Sequence, residues 1–103
     1  MKSIIVDGTT YVPKTPPKGD VKIVVLHRGW VVVGRLQPHG DEPDRVLTNA
    51  HVIRMWGTAN GIGELAGGPT SKTVLDRAGT VRYHELAAVL TIDCEEEPWS
   101  SRL

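Results

Sequence analysis

The chain lacks most of the features by which a short sequence declares its chemistry. It has one cysteine, no phenylalanine and no excess of either charge, with twelve basic residues matched by twelve acidic ones. A single cysteine excludes an internal disulfide framework and leaves a buried, reduced thiol as the default. That residue, Cys94, precedes Glu95, Glu96 and Glu97. Acidic neighbours raise a thiol pKa rather than activate it, so a structural role is expected. The charge balance argues against binding a nucleic acid polymer, which calls for a basic excess or stripe. No apolar run approaches the roughly 18 residues a membrane-spanning helix needs. The first residues show no basic-then-apolar targeting pattern. The expectation is a soluble, cytoplasmic protein without membrane contact. His27, His39, His51 and His84 are scattered, with no Cys or carboxylate partner at ligand spacing, so no metal and no cofactor is expected.

What the chain does contain is Val, Ile and Leu in short runs separated by turn-formers. At 103 residues it is read as one domain, residues 1–103. Such a chain buries only about 60–70% of its unfolded surface, so its core is thin. Residues 1–12 read as a hairpin around Asp7-Gly8, a strong two-residue turn signal. Residues 13–20 (PKTPPKGD) form a stiff polar connector. The core is assigned to 21–98, with 99–103 as a frayed tail.

Within that core, Val21 to Leu26 and Trp30 to Leu36 read as a central hairpin turning at His27-Arg28-Gly29. Arg45 to Thr48 resumes as a strand after a polar loop. Ala50 to Trp56 is read as a helical turn or two, because Ile53 and Trp56 are three apart and could share a face. Ile62 to Ala66 is a second short helix, and Pro69 to Gly79 is irregular. Val81 to Cys94 gives one or two strands with a bend at Ala87-Ala88. The fold class is mainly β (α+β): a small antiparallel sheet or SH3-like barrel with one or two short helices.

Thr48-Asn49-Ala50-His51-Val52 is a decoy. It is similar to the segment carrying the catalytic histidine of chymotrypsin-like serine proteases, with Asp76 downstream. That chemistry needs a nucleophilic serine beside an oxyanion hole. Ser3, Ser71, Ser100 and Ser101 lie in no such setting, and the protease fold needs about twice this length. No catalytic residues are assigned, and the chain is read as a non-enzyme.

The stretch Arg54 to Glu64 (RMWGTANGIGE) is the candidate site. Gly57, Gly61 and Gly63 would let backbone N–H groups approach an anion ahead of a helix start. The Arg54 guanidinium could grip a phosphate through two hydrogen bonds. Trp56 offers a face for stacking. Thr58 and Asn60 could read an amide or a ribose. These suit a nucleotide, although neither a P-loop ending nor a βαβ dinucleotide unit is present. The alternative is a structural loop whose glycines make tight turns and whose tryptophan fills the core. Arg28 and Trp30, at the first hairpin turn, could join the site, with packing the main expectation for Trp30 and a solvated turn charge for Arg28.

The run V-L-T-N-A-x-x-I-R-x-W-G-T, then G-x-G-E-L-A, then G-P-T-x-K-T-x-L-D resembles a family of small uncharacterised phage and prophage proteins. Val31-Val32-Val33-Gly34 upstream and Asp93-Cys94-Glu95-Glu96 downstream extend the likeness to about residues 21–98. The resemblance implies a phage origin but transfers no activity. By analogy, phage sponge proteins that sequester nucleotide immune signals are similar in habit: small, β-rich and oligomeric. The expected function is counter-defence by binding, without cleaving, a nucleotide-derived signal such as a cyclic ADP-ribose isomer or cyclic dinucleotide. The alternatives are a protein-interaction module that inhibits a host defence protein, and a hydrolase of such a signal. A thin core rich in branched apolar residues also leads us to expect a homo-oligomer.

Overall fold

The computed structural model describes residues 4–6, 9–11 and 19–103. Strands β1 (Ile4–Val6) and β2 (Thr9–Tyr11) pair antiparallel as a small sheet of their own, as the hairpin expectation required. The Asp7-Gly8 turn itself, and most of the connector, lie outside the described residues. The body of the protein is a five-stranded antiparallel sheet. Its strands are β3 (Asp20–Leu26), β4 (Val31–Leu36), β5 (Asp44–Met55), β6 (Val74–His84) and β7 (Ala88–Asp93). Their order across the sheet is β6-β5-β4-β3-β7, so the domain is mainly β. Among the described residues no helix is long and apolar enough to cross a membrane.

The connection between the two edge strands shapes this sheet. A 3-10 turn of only three residues, Glu85–Ala87, carries the chain from the end of β6 to the start of β7. The four Cα steps from His84 to Ala88 reach about 15 Å at most. The edges of a flat five-stranded sheet stand about 19 Å apart. The sheet must therefore coil until its edges meet at one corner, aided by the normal strand twist. That corner is fastened on both sides. The Glu85 N–H donates to the Pro43 carbonyl (2.8 Å), at the entrance to β5. A nitrogen of His27, just past β3, lies 3.1 Å from the Leu86 carbonyl. The result is an open, coiled sheet whose edges touch at a corner and do not pair along their length.

Apolar side chains occupy both faces, which is why the strands read as continuous rather than alternating runs. One face gathers Val24, Val32, Leu47 and Ala50, with Tyr83 and Ala88 from either side of the corner packed against them. The other gathers Val21, Ile23, Val31, Val33 and Ile53. It is covered by Leu65, from the 3-10 turn Ile62–Gly67, and by Trp99.

The central hairpin, the short helical turn near Ile62 and the bend at Ala87 fall where the sequence placed them. Three expectations are corrected. Ala50 to Trp56 is not helical: β5 runs on to Met55, with Val52 opposite Asp76 and Ile53 opposite Leu75. The β-branched pair Val52-Ile53 favours the extended form. Asn49, at φ 50°, absorbs a register shift between Leu47 and Ala50, which hides the strand's continuity. Secondly, the segment read as irregular to Gly79 already pairs as β6 from Val74. Thirdly, the C-terminus is not frayed. It forms α1 (Glu96–Ser100), whose Trp99 is fully buried and donates its indole N–H to the Leu65 carbonyl (2.8 Å). Acidic Glu96 and Glu97 in its first turn suit the positive end of a helix.

Candidate functional site

β5 delivers Arg54 and Met55 to the end of the sheet, and the chain then enters the glycine-rich loop. The loop is held by two threonines on the segment leading into β6. The Thr73 hydroxyl donates to the Trp56 carbonyl (2.6 Å), and the Thr70 hydroxyl donates to the Gly57 carbonyl (2.6 Å). Thr73 is buried and also accepts the Thr70 N–H (2.8 Å). Gly57 is the glycine this arrangement demands. Its φ is 68°, and a Cβ there would overlap the carbonyl carbon of Lys72. Gly61, at φ 96°, precedes the 3-10 turn and meets no neighbour. Gly63 has neither a positive φ nor any atom within 4 Å of a would-be Cβ, so the fold itself does not demand a glycine there.

Of the nine candidate residues, Arg54, Trp56, Gly57 and Thr58 come together, with Met55, around an open depression of about 400 Å³. Asn60, Gly61 and Gly63 do not line it. Arg28 takes φ 69° in the β3–β4 turn and is exposed. Extending the Val32↔Val52 register by two residues puts the Trp30 backbone across from Arg54, so the two turns share one end of the sheet. The tryptophans correct the packing expectation. Trp30 is 58% exposed and Trp56 43% exposed, whereas Trp99 fills the core.

Arg54 and Glu64 are both already partnered. Arg54 Nε donates to Asp76 Oδ2 (3.0 Å), and both side chains are at least half exposed. The Ala59 N–H donates to a Glu64 carboxylate oxygen (2.9 Å), which withdraws that amide from any incoming anion. The same contacts undo the protease decoy: Asp76 engages Arg54, while His51 Nδ1 lies 3.1 Å from the Asn49 carbonyl of its own strand. Among the described residues no cluster of three metal-ligating side chains exists.

Cys94 is half-buried, and its thiol pKa is pushed up to about 11. Burial is the main cause, and the charge of Asp93 adds to it. The direction agrees with the sequence, but the cause is desolvation rather than the glutamates that follow.

Sequence reasoning missed Asp76 as the partner of Arg54 and the latching pair Thr70 and Thr73. The Gly68-Pro69-Thr70 run before a β-branched strand was the available signal for the latch. No protein-family model, curated protein or solved structure matches the chain. The site is therefore read from its own residues.

Proposed function

We propose that this is a non-catalytic binding protein that sequesters a nucleotide-type ligand at the end of β5. One observation carries it: an exposed tryptophan face, Trp56, and a guanidinium, Arg54, line the same depression. A base would stack on Trp56 while phosphate takes Arg54. Asp76 is no obstacle, because an exposed ion pair contributes only about 0–1 kcal/mol and exchanges readily for a phosphate. Thr58 adds a hydroxyl at the rim. Taken with the phage-like sequence motif, the role we propose is counter-defence in the host cytoplasm, with cyclic ADP-ribose isomers and cyclic dinucleotides as the ligand class.

A second proposal, a protein-interaction module, is favoured by the openness of the depression. Small ligands are usually enclosed by concave walls. Here Trp30, Met55 and Trp56 are all exposed at one end of the sheet, as at a docking face. Calorimetry with the two ligand classes, on the wild type and on Arg54→Ala, tests the first proposal. The expected result is binding that weakens about 10–100-fold in the variant, as for a lost charge-assisted contact. Mass spectrometry after heat release should return the ligand intact; a cleaved product would make the protein a hydrolase. Absence of binding by the folded wild type would discard the nucleotide proposal in favour of the docking face.

A further inference from the structure

We infer that β7 is a dimerisation edge, which pairs antiparallel with β7 of a second copy of this chain about a two-fold axis at Thr91. The two edges of the main sheet differ. β6 carries Asp76, Arg77, Arg82 and His84 along its length and is broken by Gly79 at φ 83°. Charge and a kink are the usual means of keeping an edge strand from recruiting another. β7 has neither means. From Ala88 to Ile92 it reads Ala-Val-Leu-Thr-Ile, without charge, proline or glycine. Its one charged residue, Asp93, is paired with Lys22 (2.6 Å). Val89, Leu90 and Thr91 are consecutive and all exposed, and among the described residues no strand pairs with this edge.

The backbone fixes which groups are free. The Cys94 N–H donates to the Val21 carbonyl (3.2 Å), so this pair is a hydrogen-bonded one. Bonding alternates along an antiparallel pair, so Ile92 and Leu90 also face β3 while Thr91 and Asp93 face outward. The register shift in this pairing lies at Val25/Leu26, leaving Leu90 to Asp93 regular. Centring the two-fold on Thr91 lets the outward N–H and C=O of Thr91 bond their own counterparts. It also sets Leu90 of one copy beside Ile92 of the other on one face.

Self-pairing, rather than capture of an unrelated strand, follows from charge and closure. The strand offers no charge for a foreign partner to read, and it is complementary to itself. One bare edge in the five-stranded sheet, with its other edge guarded, gives an assembly that stops at two.

The test is a charge swap at the axis. Light scattering of the wild type at micromolar concentration should give twice the 11.2 kDa chain mass. Thr91→Lys and Thr91→Asp should each be monomeric with unchanged circular dichroism, because each sets like charges opposite one another. Mixing the two variants in equal amounts should restore the dimer. In a Cys94→Ser background, Thr91→Cys should cross-link to itself on oxidation, and Arg82→Cys on β6 should not. A monomeric wild type overturns the inference, as does a dimer that survives both charged variants.

Discussion

Arg35 and Glu96 are joined by two hydrogen bonds at once, Nη1 to Oε1 at 2.6 Å and Nη2 to Oε2 at 2.8 Å. The guanidinium is buried on β4, whereas the carboxylate, 59% exposed, opens α1. Arg35 also donates to the Gly19 carbonyl (3.2 Å), so one side chain ties the start of β3 and the C-terminal helix to the sheet centre. The fork geometry of arginine makes such a three-way tie possible.

Glu96→Gln should therefore lower stability by about 1–2 kcal/mol at neutral pH, an amount discounted for the exposure of Glu96. The hydrogen bond from Arg35 holds the Glu96 carboxyl below its usual range. A depressed folded-state pKa contributes stability that is complete above the unfolded value, about 4.3. That stability is lost as pH falls through the lower folded value. Urea titrations of both proteins should show a gap at pH 7 that closes as pH drops below about 4.

Trp99→Ala should be among the most damaging single changes, at about 3–5 kcal/mol. Trp99→Phe keeps most of the volume but orphans the Leu65 carbonyl, so it should cost about 1–3 kcal/mol. Thermal melts of the two variants, ranked in that order, check the role of α1 as a lid on the core.

Gly57→Ala and Gly63→Ala should behave oppositely. The first needs a left-handed φ and an overlap with Lys72 relieved, for at least about 2 kcal/mol. The second meets nothing and should change melting by less than about 0.5 kcal/mol equivalent. Circular dichroism melts decide it, and equal losses in both would refute the latch.

Cys94 should resist alkylation. A thiol pKa of about 11 leaves almost no thiolate at pH 8 in the folded protein. The rate with iodoacetamide should climb only as pH approaches that value, and should jump at pH 8 when the chain is unfolded in urea. Because the neutral thiol is favoured on folding, stability should decline as pH rises above the unfolded cysteine value of about 8.5.

The sheet was legible from its β-branched runs and turn-formers because those signals are local. Val21 to Leu36 shows this, with two apolar stretches around His27-Arg28-Gly29. β5 was obscured because Asn49 bends the strand, and the bend disguises a twelve-residue extended element as a strand followed by a helix. Trp99 was misassigned because its burial depends on Leu65 and Arg35, which are far away in sequence. At the site, Arg54, Trp56, Gly57 and Thr58 were found because they adjoin in sequence. Asp76 was not, since only strand register brings β6 beside β5.

The corner formed by Glu85–Ala87 also sets an order of events in folding. β4, β5 and β6 are joined to their neighbours by nearby chain and can zip as successive hairpins. The β3–β7 ladder closes across some seventy residues, as between Lys22 and Asp93. Loop closure of that length is entropically slow, so this ladder forms after the hairpins it completes. The same ladder is the last strand pair gained, and in the monomeric Thr91→Lys chain, where β7 is held on one side only, it is the first to open. In that chain, amide exchange along Leu90 to Asp93 should outpace that of Val32 and Val33 in the sheet centre.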